Sequence, residues 1–410
     1  MKGRPFLYRS WAEVSLGQIV KNYKVYKECI GVGKKIIAVV KANAYGHGDV
    51  EISLALEAEG VDFFAVSNIN EGIKLRKAGI KSDILVLGYT PPTYLTMLSK
   101  YRIMQTIVDK NHIFELRKYA PRDAKYHLAI DTGMRRIGLP GENREEIVKE
   151  IQLAASALKI CGLFTHLPVA DCKSDDDIKF TNRSVSLFDE LAFEAKKAGI
   201  ECIHCQNSAA GLLHNTKECN AIRLGISLYG YPPSPDVKLP QGILPALSWK
   251  SVVCHVFDVK KGESIGYGRS FVAQKNMKVA TLTTGYADGY PRALSNRGYV
   301  LINGRFAAGV GRVCMVMMMV DVSMLPCIKS GDEVIIIGRS ADKEITADDV
   351  AQWANTISYE ILTGISARVT RIYKNSKKAV LIQGKSSIDL SLKGWYNFCE
   401  LNLKRMLWRI

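Results

Sequence analysis

Strand-like and helix-like patterns alternate without a break from residue 35 to residue 224, and this alternation constrains the fold more than any other feature of the chain. Short apolar, β-branched runs predict strands over 35–40, 63–67, 84–87, 104–108, 126–131, 160–165, 202–207 and 221–224. Helical periodicity predicts helices over 50–59, 69–78, 111–119, 144–158 and 177–198 among them, after an opening helix over 16–29. Strands alternating with helices imply βαβ units and a parallel sheet. Eight such strands within about 200–250 residues suit a (β/α)8 TIM barrel, which carries its chemistry at the C-terminal ends of the strands.

The pattern changes at Pro232-Pro233-Ser234-Pro235. Short β-branched runs follow over 247–259, 279–284, 299–302, 316–322 and 333–337, with one helix expected over 347–356. This reads as an all-β domain. The fold class is therefore α/β, a (β/α)8 TIM barrel with a C-terminal all-β domain. A strand pattern at the start has no place of its own in the barrel. The expected division is 1–12 as a strand joining the β domain, 13–243 as the barrel, 244–373 as the β domain and 374–410 as a tail.

At 410 residues, 47% hydrophobic and 23% charged, the balance is that of a globular chain and excludes disorder throughout. No apolar stretch is long enough to span a bilayer. The opening Met1-Lys2-Gly3-Arg4-Pro5 lacks the apolar core of a signal peptide, so a cytoplasmic protein is expected. Cys202 and Cys205 flank His204 in a C-x-x-C, but no second pair completes a zinc site, and no metal is expected. The net charge of +16 is spread along the chain rather than clustered, which argues against nucleic acid and fits an anionic small ligand or a solvated surface.

The residues at the C-terminal ends of the barrel strands test the barrel reading. The first strand ends in Lys41, within Val40-Lys41-Ala42-Asn43-Ala44-Tyr45-Gly46-His47-Gly48. A lysine at the rim of a buried strand is partly desolvated, which lowers its pKa and suits an amine to Schiff-base chemistry. A lysine that merely ends a strand and faces water is the plainer reading, and this stretch alone leaves both open. The fifth strand runs into Asp131-Thr132-Gly133-Met134-Arg135-Arg136, the sixth into Thr165-His166, the seventh into Asn207-Ser208 and the eighth into Arg223-Leu224-Gly225-Ile226. Ser208 with helix-start N–H groups can hold a phosphate, and the Gly225 and Ile226 amides can add to the cradle. Barrel phosphate sites lie after strands seven and eight. A lysine after the first strand and a phosphate cradle after the last two point to pyridoxal phosphate held as a Schiff base.

The β domain has three glycine-flanked spots of its own: Gly266-Tyr267-Gly268, Gly285-Tyr286-Ala287-Asp288-Gly289 and Gly311-Arg312-Val313-Cys314-Met315. Each taken singly reads as turn chemistry.

All of these motifs, in this order over about residues 6–373, resemble the alanine racemase family, pyridoxal-phosphate enzymes of barrel-plus-β-domain architecture. The resemblance implies that Lys41 carries the cofactor and acts as one base. It implies that Tyr267, offered by the partner subunit of a homodimer with shared active sites, is the second base. Tyr45, Ser208, Gly225, Ile226 and Tyr359 would hold the phosphate, beside Asn207. Arg223 would face the pyridine nitrogen with His166 behind it. Arg136 and the Met315 backbone N–H would meet the substrate carboxylate, and Tyr286 and Tyr359 would narrow the way in. The implied activity is interconversion of L- and D-alanine, a small-molecule reaction supplying D-alanine for peptidoglycan.

The chain departs from the family pattern where a lysine partner of the arginine is usual and Ala129 stands, and where an aspartate is usual and Val316 stands. A bound anion such as chloride would be a substitute partner for Arg136. The alternatives are a serine or broad-specificity racemase, and a non-catalytic pyridoxal-phosphate-binding protein, for which Tyr267 would have no use. The tail reads, over Trp395 to Ile410, as basic and apolar at near-helical spacing, fitting a docked end helix, a disordered tail or a membrane-surface helix.

Overall fold

The computed structural model describes residues 9–31, 33–141, 143–374, 379–383 and 386–389. The expected helix in the tail lies outside the described residues. The chain divides into two compact units, Ile19–Leu244 and the described residues up to Gln18 together with those from Pro245.

The Ile19–Leu244 unit is a barrel of parallel strands. Their order is Ala221–Leu224, Lys35–Val39, Phe63–Val66, Asp83–Val86, Met104–Ile107, Lys125–Asp131, Lys159–Phe164 and Cys202–His204. The last and first of these are joined by two backbone bonds, Asn220 N–H to Ile203 O and Arg223 N–H to Gln206 O, both 3.0 Å. The ring is thus nearly closed. Ile37, Ala38, Phe64, Ala65, Leu85 and Leu128 are fully buried, as strands covered on both faces must be. Side chains cap the helices between the strands: Asn68 accepts from Glu71 N–H, Asp109 from His112 N–H, Asn143 from Glu146 N–H and Ser174 from Asp177 N–H. Each satisfies an otherwise unpaired amide in the first turn. The Ser174 cap starts its helix at Asp175, two residues before the periodicity suggested.

The seventh strand stops at His204, short of the expected 207. Asn207 Oδ1 accepts from Ala209 N–H (3.1 Å) and Ala210 N–H (2.9 Å), which turns the chain out of the ladder. After Lys41 the chain makes a left-handed turn, with Ala42, Asn43, Ala44 and Tyr45 all at φ between 51° and 55°. Nothing in the side-chain pattern foretells this, since that region costs an L-residue roughly 1–2 kcal/mol.

The second unit is built on antiparallel strands. Leu247–Val259, Met277–Leu282, Met318–Asp321, Arg305–Val310, Tyr299–Ile302 and Glu333–Ser340 pair in that order, and the last returns to pair with the first. Ser10–Ser15 pairs antiparallel with Leu247–Val259 and parallel with Thr370–Lys374. Thr370–Lys374 continues through Ala379–Gln383 to Ser386–Asp389. The strands at 305–310 and 370–374 and the helix Ser358–Gly364 were not expected from the sequence. The expected 347–356 helix ends at Ala354 because Asn355 turns left-handed at φ 58°. Trp249 is fully buried and donates its indole N–H to Ser10 Oγ at 2.8 Å.

Candidate active site

Lys41 follows Val40, which is fully buried at the end of the first barrel strand. Burial lowers the pKa of its amine, the nearby cations of Arg136 and Arg223 lower it further, and the carboxylate of Glu71 opposes them. Desolvation disfavours the ammonium form, which moves the amine in the direction that makes it more nucleophilic.

Tyr45, at the end of the left-handed turn, is buried, and its ring packs on Tyr229 with centroids 4.8 Å apart. Tyr229 is anchored by donating its hydroxyl to Val39 O at 2.8 Å. The Tyr45 hydroxyl thereby arrives beside Gly225, where a Cβ would stand 3.0 Å from it and 3.6 Å from Ser208 Oγ. Only glycine leaves that concave space open. Ser208 Oγ accepts the Gly225 N–H at 2.9 Å, so in this structure that amide is engaged by the serine rather than facing the cradle. Ile226 is buried and opens a one-turn helix, Ile226–Tyr229. Asn207, expected to hold the cofactor, commits its carbonyl oxygen to the turn and its Nδ2 to Leu167 O at 3.4 Å.

Arg223 lies 4% exposed on the eighth strand. Its terminal nitrogens donate to the carbonyls of His204 (2.8 Å), Thr165 (2.7 Å) and Cys205 (3.1 Å) and to two imidazole nitrogens, His204 Nδ1 (2.7 Å) and His166 Nδ1 (3.2 Å). Burial brings its pKa down to about 10, which leaves it charged at neutral pH. His166 is pushed down to about 3, by burial first and then by Arg223, Arg136 and Lys41. His204 is depressed for the same leading reason and by Arg223. The Arg223 guanidinium is thus flanked by two imidazoles kept neutral. Since His204 Nδ1 accepts from Arg223, its Nε2 carries the proton and donates to His127 Nδ1 at 2.8 Å. His127 and His204 with Cys202 gather possible metal ligands within 4.8 Å, but the neighbouring Arg223 cation opposes a metal there.

Arg136 is exposed in the loop after the fifth strand, where Asp131 Oδ1 accepts the N–H groups of Gly133 (2.9 Å) and Arg135 (3.0 Å). Ala129, 1% exposed on that strand, offers Arg136 no counter-charge.

In the second unit Tyr267 is 70% exposed, Met315 57% and Tyr286 42%. Tyr286 N–H donates to Cys314 O (3.0 Å) and Ala287 N–H to Met315 O (2.8 Å), which fixes these two loops to each other. The buried Asp288 pins them, accepting from both Arg9 Nη2 (2.6 Å) and Gly285 N–H (2.9 Å). Tyr359 is half-buried on the helix Ser358–Gly364. Sequence reasoning missed His127, His204, Tyr229, Glu71 and Asp288. The C-x-x-C around His204 drew attention only as a zinc motif.

The lysine, the glycine-lined cradle and the buried arginine accommodate a phosphorylated pyridine aldehyde. Profiles of the alanine racemase N-terminal and C-terminal domains match residues 14–233 and 246–373. The chain belongs to the alanine racemase family. Members of this family are pyridoxal-phosphate-dependent isomerases. The alanine racemase of Clostridium novyi is 40% identical over 379 residues, 91% of this chain and 97% of that one. The Clostridium difficile 630 alanine racemase structure matches at TM-score 0.84 with 36% identity, covering 92% of this chain and 98% of that one. The alanine racemase of Bartonella henselae with covalently bound pyridoxal phosphate matches at TM-score 0.79 with 27% identity, over 89% of this chain and 99% of that one.

Proposed function

We propose that this alanine racemase family member interconverts L- and D-alanine, with Lys41 holding pyridoxal phosphate and moving the Cα proton on one face and Tyr267 moving it on the other. The observation that carries this reading is Lys41 itself, an amine kept below its ordinary pKa at a barrel-strand end, one turn from Tyr45. When bound, pyridoxal phosphate acidifies the substrate's Cα–H by delocalising the charge left behind.

This chain's residues supply the rest. Tyr45, Ser208, Ile226 and Tyr359 hold the phosphate in the space that Gly225 leaves open by lacking a Cβ, with Asn207 shaping the turn before Ser208. Arg223, a permanent cation, disfavours a proton on a pyridine nitrogen facing it. That limits charge delocalisation and favours returning the proton to Cα. His166, kept neutral, adds no second positive charge. Arg136 and the Met315 backbone N–H orient the substrate carboxylate, while Tyr286 and Tyr359 restrict the site to a small side chain. Two groups on opposite faces are the simplest way to remove a proton from one side and return it to the other.

The 70% exposure of Tyr267 supports a tyrosine offered to a partner copy in a homodimer with shared sites. Among the described residues no helix is long and apolar enough to cross a membrane, and a cytoplasmic enzyme supplying D-alanine for peptidoglycan fits this reading. Ala129, uncharged on the strand before Arg136, favours testing a wider substrate range. A chiral assay with L-alanine, L-serine and a panel of other L-amino acids should give D-alanine fastest, and Lys41→Ala should abolish turnover. Faster conversion of serine would replace alanine as the substrate. No turnover of any amino acid by cofactor-loaded protein would overturn the racemase reading.

A further inference from the structure

The left-handed turn after Lys41 is four residues long and contains no glycine. Ala42, Asn43 and Ala44 combine φ of 53°, 55° and 52° with ψ of 50°, 45° and 54°, and Tyr45 comes next at φ 51°. L-residues visit this region singly and against a steric penalty. Such strain persists only where the surroundings over-determine it.

Besides the packing of Tyr45 on Tyr229, the turn is tied to one neighbouring helix, Ile69–Lys77. Glu71 Oε1 accepts the Ala42 N–H at 2.8 Å. Its Oε2 accepts both the N–H (2.7 Å) and the hydroxyl (2.8 Å) of Ser67, at the end of the second barrel strand. One turn along the same helix, Lys74 pairs with the buried Asp49 and reaches Asn43 Oδ1 at 3.5 Å. Asn43 Oδ1 in turn accepts the Asp49 N–H at 3.3 Å. Residues three apart share a helix face, so a single face grips the turn at two points. Asn68 caps the helix by accepting the Glu71 N–H, which fixes where Glu71 stands.

We infer that Glu71 is a positioning residue whose carboxylate holds the left-handed turn, and through it Lys41, in the geometry that carries the cofactor. The inference rests on Lys41 being the cofactor lysine. A carboxylate suits the task because its two oxygens accept from two different loops. A glutamine would satisfy one loop and turn its NH2 against an N–H of the other. The Glu71 charge also counters the burial and the Arg136 cation that depress the Lys41 amine.

The test uses full-length, cofactor-loaded enzyme carrying Glu71→Ala, Glu71→Gln, and each of these combined with Ala42→Gly. Borohydride reduction followed by peptide mapping measures the fraction of chains with cofactor on Lys41, alongside kcat and KM for L-alanine. Loss of positioning should lower kcat by about 10- to 100-fold, the scale of a small misplacement of a reacting group, with KM little changed. The trapped fraction on Lys41 should fall as well. Glycine enters the left-handed region without penalty, so Ala42→Gly should restore most of both losses. Glu71→Ala enzyme equal to its parent in kcat and trapped fraction would overturn the inference, and so would a defect that Ala42→Gly leaves untouched. If Glu71→Ala does not fold, Glu71→Gln is read by the same rescue criterion. Cofactor still trapped on the chain in Lys41→Ala would instead sink the assignment of Lys41, whatever Glu71 does.

Discussion

The two units present their candidate groups in opposite ways. On the barrel, Tyr45, Ser208 and Arg223 are buried and tied to neighbours, and Lys41 and His166 are shifted chiefly by desolvation. On the β unit, Tyr267, Tyr286 and Met315 are largely exposed, and order comes from the backbone of their loops and from Asp288 beneath them. Tyr45, Ser208 and Arg223 are kept from water at the ends of parallel barrel strands, so burial does the chemical tuning there. Antiparallel strands joined by glycine-rich turns leave these side chains in solvent. The barrel groups are preorganised by contacts within their own unit.

The largest test of this contrast is Tyr267→Phe. If the tyrosine moves one proton and takes no part in holding the cofactor, the lysine-linked cofactor absorbance persists. Racemisation should fall by roughly 10²–10⁴-fold, the usual contribution of a positioned acid or base. Exchange of the Cα hydrogen with solvent should continue from the enantiomer served by Lys41. Mixing Lys41→Ala and Tyr267→Phe chains into heterodimers should restore one working site in two if Tyr267 crosses between subunits. Full activity in Tyr267→Phe would break the contrast at its strongest point.

A smaller effect is expected where the barrel's preorganisation is stripped. Arg223→Lys keeps a charge but loses the planar fork, leaving some of the Thr165, His204 and Cys205 carbonyls without donors. Each buried polar group so orphaned costs about 1–3 kcal/mol, so urea unfolding should show a loss of about 2–4 kcal/mol. Arg339→Lys, on an exposed pair with Glu344 in the β unit, should leave the urea midpoint where it is. Equal effects at the two arginines would remove the distinction between a structural cation in the barrel and a surface one.

The barrel was legible because its strands are short β-branched runs, such as Ile36 to Val40, set between periodic helices. Lys41, Arg223 and His166 stood out because charge and imidazole at strand ends break that pattern. The strand Arg305–Val310 was hidden because its first two residues are exposed and Gly309 interrupts it, so only pairing with its neighbours defines it. The Asn68-x-x-Glu71 spacing signals a helix start, yet nothing local shows that Glu71 reaches back to Ala42. A left-handed Ala-Asn-Ala-Tyr turn is likewise invisible, because propensity argues against it and tertiary contacts impose it. The tie of His204 to Arg223 escaped for the same reason: the residues meet only when the barrel closes.

The smallest effect is a slope. Six of the seven histidines, all but His255, lie in the barrel unit. His127 is 1% exposed and is pushed down to about 3, by burial first and then by the Arg223 cation. In the unfolded chain an imidazole titrates near 6.5. Between about pH 6.5 and pH 3 the unfolded state therefore binds a proton that the folded state refuses, and stability falls as pH falls through that window. Each such histidine steepens the loss by about 1.4 kcal/mol per pH unit. His127→Gln keeps an oxygen to accept from His204 Nε2 and removes one titrating group. Urea unfolding at pH 7, 6 and 5 should show the parent losing stability more steeply than His127→Gln, by about one proton. Carboxylates common to both proteins cancel in that difference. Parallel slopes would mean that His127 takes up its proton as readily in the folded barrel as in the unfolded chain, and then Arg223 would not sit beside a neutral imidazole pair.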